Sequence, residues 1–102
     1  MNMEETVFTL ILHAGNARSN YMEALGLVKE GNYAEADKLM AEAREELTKA
    51  HVIQTNLLQA EAGGNQTNVT MLLLHAQDHL MCALLAKDLI EEMIELYKKI
   101  DK

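Results

Sequence analysis

Met71-Leu72-Leu73-Leu74-His75-Ala76-Gln77-Asp78-His79-Leu80-Met81-Cys82 places two imidazoles and a carboxylate in the most apolar run of a 102-residue chain. Neither proline nor glycine occurs from Met71 to Lys102, so the run opens a helix that continues to the C-terminus. Titratable groups in an apolar helix cost free energy unless they have partners or a task. What the chain can do therefore turns on His75, Asp78 and His79.

Composition sets the frame around that run. A chain of 102 residues suits one domain with a modest core, spanning 1–102. Apolar residues at 49% exclude disorder, and the absence of proline with only 4% aromatics points to helices. The fold class expected is all-α. A net charge of −7 argues against a nucleic-acid partner or an acidic membrane surface. The lone Cys82 excludes an intramolecular disulfide and suits a reducing compartment. Met1-Asn2-Met3-Glu4-Glu5 lacks the basic and apolar regions of a signal peptide. No apolar run reaches the roughly 20 residues of a membrane span. A cytoplasmic protein without direct membrane insertion is expected, and the sequons at Asn65 and Asn68 carry no weight without secretion.

Two further helices precede the run. Met3, Val7, Leu10, Ala14, Ala17, Tyr21, Leu25 and Val28 recur at helical spacing from about Glu4 to Glu30. Gly31 suits a left-handed C-cap, and Asn32 with Glu35 reads as a capping box for the next helix. That second helix runs from about Tyr33 to Ala62, with Ala36, Leu39 or Met40, Ala43, Leu47, Ala50, Gln54, Leu57 and Leu58 as its buried stripe. Gly63-Gly64-Asn65-Gln66-Thr67 is a loop, and Asn68 or Thr67 would cap the third helix. The expected architecture is an antiparallel, up-down-up three-helix bundle.

Each residue advances roughly 100° around a helix, which gives the third helix two apolar stripes. Leu72, Ala76, His79, Ala83, Ala86, Ile90 and Tyr97 face the partner helices of the same chain. Met71, Leu74, Asp78, Met81 and Leu85 alternate in steps of three and four, a heptad seam. A bundle needs one buried stripe per helix, so the second asks for another subunit. Asp78 sits mid-seam, where symmetry would repeat its charge in every copy. Such carboxylates would share protons or ligate a hard cation such as Mg²⁺ on the axis. The bland alternative puts Asp78 at the seam's solvated edge.

His75 and His79 lie one turn apart on the boundary between the stripes. A neutral imidazole attacks phosphorus or binds metal, and a neighbour bonded to one ring nitrogen fixes which other nitrogen is free. His79 is placed to hydrogen-bond a phosphoryl group on His75. Against this stands a structural role, with both rings satisfied by backbone or water. A zinc site from His75, Asp78, His79 and Cys82 is disfavoured, because Asp78 points roughly 60° from His75 and 100° from His79. Cys82 reads as a small core residue. A cleft between neighbouring subunits would run along that boundary, and His51, beside Gln54 and Thr55, can line it; His13 reads as surface or core. Gly15 and Gly26 cost helix stability and would allow close helix packing.

Several segments together carry a family likeness. Ala14-Gly15-Asn16-Ala17-Arg18-Ser19, Gly31-Asn32-Tyr33-Ala34-Glu35-Ala36 and Ala50-His51-Val52-Ile53-Gln54-Thr55 precede His75-Ala76-Gln77-Asp78-His79-Leu80-Met81, and Ile94-Glu95-Leu96-Tyr97 closes an acidic helix. In that order and spacing, over nearly the whole chain, the sequence resembles the enzyme IIA component of the lactose/cellobiose class of the bacterial phosphoenolpyruvate-dependent sugar phosphotransferase system. The resemblance implies a cytoplasmic homotrimer that relays a phosphoryl group. It implies that His75 is phosphorylated through Nε2, that Asp78 binds one Mg²⁺ shared by three subunits, and that Gln77 and His79 surround the phosphohistidine. The implied donor is the phosphohistidine carrier HPr and the implied acceptor a cysteine of enzyme IIB, which phosphorylates the sugar with the membrane IIC component. Cys82 departs from the hydroxyl or small residue expected there, and Asn16 from the acidic or amide residue of many members. The wording around His75 and Gln54 leans toward the cellobiose/chitobiose branch. A helical scaffold without chemistry and a metal-binding bundle are the alternatives.

Overall fold

The computed structural model describes residues 2–66 and 68–101. Three helices follow one another, α1 over Met3–Lys29, α2 over Tyr33–Ala62 and α3 over Met71–Ile100, and no strand occurs among the described residues. They form a rod with extents of 54 × 20 × 20 Å. Its length is set by the helices themselves, since 30 residues rising 1.5 Å each span about 45 Å.

Helix ends are set by a few polar groups. Asn2 caps α1, its side chain accepting a 2.8 Å hydrogen bond from the Glu5 amide. At the other end Gly31 takes φ +84°, a left-handed conformation that glycine adopts without Cβ strain. The Gly31 amide then donates to Val28 O and the Asn32 amide to Leu27 O, at 3.0 and 2.9 Å, which satisfies carbonyls that α1 leaves open. Gly64, at φ +97°, closes α2 with the same pair of bonds.

The capping box expected of Asn32 and Glu35 does not form on the Asn32 side. Asn32 already donates its amide to Leu27, which leaves its ψ at 65°. Asn2 and Thr70 cap their helices from extended backbone, with ψ of 171° and 164°. The Asn32 side chain therefore makes no capping bond. The cap of α3 also differs from expectation. Thr70 accepts from the Leu73 amide at 3.1 Å, while Asn68 lies two residues before that cap and Thr67 lies outside the described residues.

Helix α1 is the spine. It packs along both α2 and α3, which meet each other only sparsely. Its buried face is the periodic one, from Val7 and Leu10 through Ala17 and Tyr21 to Val28, with Met3 left exposed at the first turn. The α2 face holds from Ala36 to Gln54, and Leu58 beyond it is exposed. Eight of the 19 buried apolar residues among those described are alanines. Ala36, Ala43 and Ala50 repeat every seven residues on α2, as do Ala17 and Ala24 on α1 and Ala76 and Ala83 on α3.

Helix α3 is rotated from the expected orientation. Leu73, Leu80 and Ile94 enter the core with Ala76, Ala83 and Ile90, whereas Leu72 and His79 are only half-buried. Burying an imidazole in this apolar interior would strip its hydrogen bonds, and Leu80 goes in instead. Cys82 is exposed rather than in the core; two residues past Leu80, it points roughly 200° away. The second stripe of α3 faces outward, with Met71 83% and Leu74 54% exposed and Met81, Leu85, Leu89 and Met93 continuing it. Gly15 and Gly26 do not serve close packing within the chain, because a Cβ at either would meet nothing within 4 Å.

Candidate functional site

His75 is the fifth residue of α3 and His79 lies one turn on. Their rings meet edge to face, with centroids 4.5 Å apart and an interplanar angle of 90°. Nε2 of one lies 3.1 Å from Nε2 of the other. A hydrogen bond at that distance needs an N–H on one ring and a lone pair on the other. The pair is thus a matched donor and acceptor, with His75 exposed and His79 half-buried.

Two surface depressions flank this pair, one bordered by each ring. His75 borders one of about 510 Å³, with Met71, Leu72, Leu74 and Asp78. Its walls are nearly all apolar, so His75 stands in a patch suited to protein contact. His79 borders another of about 480 Å³ between α1 and α3, with Gly15, Arg18, Ser19 and Met22.

Gln77 turns toward α2, where its Oε1 accepts a 2.5 Å hydrogen bond from Gln54 Nε2. Gln54, 9% exposed, is the buried polar residue of the core, and this bond answers the cost of burying its amide. Asp78 is exposed on the outward stripe. Among the described residues no three of His, Cys, Asp and Glu gather as a metal site within the chain. A cation at Asp78 would have one carboxylate per chain, so it would need several copies.

The remaining histidines stand elsewhere. His51 does not line the depression at His75. It borders a groove of about 320 Å³ between α2 and α3, with Arg44, Leu47, Thr48, Leu84 and Lys87. The sparse contact of those two helices opens that separate groove. His13 Nδ1 lies 2.6 Å from Glu46 Oε2, joining α1 to α2. The His13 hydrogen bond, with the Lys49 charge and a bond from Asn16, holds the Glu46 carboxyl below the usual carboxylate range.

Arg18, Ser19 and the Gln54–Gln77 bond were not assigned to the site from sequence. Gly15, Arg18 and Ser19 do share one side of α1 at helical spacing, with Met22 the next step. Their level with His79, however, depends on how far α3 is staggered along α1, and no spacing rule gives that.

The fold and site define a class: a small three-helix bundle that presents two histidines in contact at an open surface. The chain belongs to the lactose/cellobiose-specific IIA subunit family of the PTS system, whose model matches residues 5–98. It is 54% identical over 98 residues to the lichenan-specific phosphotransferase enzyme IIA component of Bacillus subtilis, covering 96% of this chain and 89% of that one. It is 44% identical over 98 residues to the N,N'-diacetylchitobiose-specific EIIA component of Escherichia coli, covering 96% and 84%. The crystal structure of the cellobiose-specific enzyme IIA from Bacillus anthracis superposes with a TM-score of 0.93 at 51% identity, covering 99% of this chain and 94% of that one. The Escherichia coli IIA(Chitobiose), solved in complex with HPr, superposes with a TM-score of 0.85 at 41% identity, covering 100% and 99%.

Proposed function

We propose that the chain is a phosphocarrier of the phosphoenolpyruvate-dependent sugar phosphotransferase system, with His75 as the residue that carries the phosphoryl group. The observation that carries this reading is the 3.1 Å contact between Nε2 of exposed His75 and Nε2 of His79. It supports a nucleophile at an open surface with a donor one turn away.

In the first transfer the neutral His75 Nε2 attacks the phosphorus of phospho-HPr in line. A P–N bond to His75 forms as the donor's P–N bond breaks, and the donor imidazole leaves with the electron pair. In the second, a thiolate of enzyme IIB attacks, a P–S bond forms and His75 leaves as neutral imidazole. Neither step needs a net proton transfer. The His79 N–H that now faces His75 donates to the phosphoryl oxygens instead. Gln77, held by Gln54, supports the backbone between the two histidines. Exposed apolar residues around His75, contributed in part by a neighbouring subunit, form the docking face for each partner in turn. HPr as donor gains support from the complex formed by the chitobiose relative.

The whole chain acts as one domain on the cytoplasmic side and assembles as a homotrimer through the outward stripe of α3. In that assembly three Asp78 carboxylates gather on the axis, and Mg²⁺ with water fits such an all-oxygen set. The ion's chemistry would be to neutralise repeated charge. The named relatives are lichenan- and chitobiose-specific, which supports uptake of a β-disaccharide such as cellobiose, chitobiose or lactose.

The test is intact-protein mass after incubation with phosphoenolpyruvate, enzyme I and HPr. The wild type should gain one acid-labile phosphoryl group and His75→Ala none. A His75→Ala protein that still gained it would overturn the assignment of His75. An unmodified wild type beside an active donor would favour a scaffold without chemistry.

A further inference from the structure

Arg18 is an arginine without an ion-pair partner among the described residues, in a chain of sixteen acidic and nine basic residues. Its setting explains why. The positions three and four residues away on α1 are Ala14, Gly15, Tyr21 and Met22, so no intrahelical carboxylate can reach it. The other arginine, Arg44, lies 4.0 Å from Glu91, and Lys87 bonds the same carboxylate at 3.1 Å. Arg18 instead lines the depression between α1 and α3 whose far wall is His79, with Ser19 beside it.

We propose that Arg18, with the Ser19 hydroxyl, binds the phosphoryl group while His75 carries it. This rests on the phosphocarrier reading above. A phosphoryl group on His75 Nε2 arrives where His79 Nε2 now sits at 3.1 Å. It brings a dianion to the edge of the depression that Arg18 and Ser19 line. A guanidinium offers several donors in a planar fork matched to phosphoryl oxygens, and a free one breaks no existing pair when it turns to them. The serine hydroxyl adds one donor. The 480 Å³ of open space gives the arginine room to move.

The experiment compares wild type, Arg18→Gln, Arg18→Lys and Ser19→Ala, each equilibrated with phospho-HPr, and measures the phosphorylated fraction of both proteins. Arg18→Gln should still accept the group on His75, with the equilibrium moved about tenfold toward phospho-HPr, the size expected for one charge-assisted hydrogen bond. Arg18→Lys should recover part of that loss, since it keeps the charge without the fork. Ser19→Ala should move the equilibrium by a smaller factor in the same direction. The phosphorus NMR shift of the phosphohistidine should differ between wild type and Arg18→Gln, a signature that a role in folding alone would not produce. Arg18 is exposed, so the helical melting curve of Arg18→Gln should match wild type. An Arg18→Gln equilibrium within twofold of wild type, with an unchanged phosphorus shift, would overturn the Arg18 assignment and leave the phosphocarrier reading standing. A wild type that takes no phosphoryl group would overturn both.

Discussion

Replacing Tyr21 by phenylalanine should stabilise the protein in alkali. The Tyr21 side chain is fully buried in the core, and its hydroxyl has no hydrogen-bond partner among the described residues. Burial, partly offset by the Arg44 charge and reinforced by Glu91 and Asp88, pushes the phenol from its ordinary 10.0 up to about 12. A raised folded value means the unfolded chain releases the proton first as pH rises. The stability due to a neutral Tyr21 is therefore complete below pH 10 and is lost between pH 10 and about 12. Linkage across that gap removes about 1.4 kcal/mol by roughly pH 11, and phenylalanine cannot lose it. Near neutrality, deleting an unpartnered buried hydroxyl should leave stability unchanged or raise it by up to about 1 kcal/mol. Urea unfolding followed by helical circular dichroism, at one protein concentration because assembly adds stability, gives both numbers. The advantage of Tyr21→Phe should widen by about 1.4 kcal/mol from about pH 8 to about pH 11. An equal difference at both values would refute the buried, unpartnered phenol. So would a loss of more than about 1 kcal/mol near pH 8, because the hydroxyl would then hold a bond.

Three other outcomes follow from the packing. Leu80→Ala empties a fully buried site and should cost about 2–5 kcal/mol in urea unfolding; a cost below about 1 kcal/mol would place Leu80 outside the core. Gly26→Ala, in open space on α1, should stabilise by roughly 0.5–1 kcal/mol, whereas Gly31→Ala at φ +84° should destabilise by about 1 kcal/mol. Thermal melts that move in the same direction would contradict that pair. His13→Ala removes the main cause that holds the Glu46 carboxyl low. A lowered folded value stabilises above the ordinary carboxylate range and fades as pH falls through it, so variant and wild type should differ near neutrality and converge in acid. A gap that stays constant with pH would count against the His13–Glu46 bond.

The sequence made the helices and most of two buried faces legible, because a 3.6-residue period survives in any tertiary setting. The α1 stripe from Val7 to Val28 and the α2 stripe from Ala36 to Gln54 show this. The outward apolar stripe of α3 was equally plain, since its steps of three and four include Met71, Leu74, Met81 and Leu85. Cap choice was not, because Thr70 and Asn68 carry similar capping chemistry and the backbone angle decides between them. The rotation of α3 was missed for a related reason. Apolar residues surround that helix, and periodicity alone does not tell whether Leu80 or His79 faces α1. The same ambiguity misplaced Cys82. His75 and His79 could be paired from their four-residue spacing, which one helix fixes by itself. That His79 and Arg18 border one depression, like the Gln54–Gln77 bond, depends on stagger and rotation of two helices together.

The alanines at seven-residue steps give this interior an upper size limit and little slack above it. Where Ala43, Ala50, Ala76 and Ala83 are buried to 0% exposure, a single added branch has nowhere to go except between two helices. Enlarging such a residue forces strained rotamers or parts the helices, at about 1–3 kcal/mol. Removing its one methyl loses far less volume than truncating a leucine. Random change in this core should therefore be asymmetric, with growth purged more strictly than shrinkage. The spine sharpens the effect: a bulky residue at Ala17 or Ala24 would wedge at the helix that both others rest on. The level of His79 against Arg18 and Ser19 on α1 holds for as long as those small residues stay small.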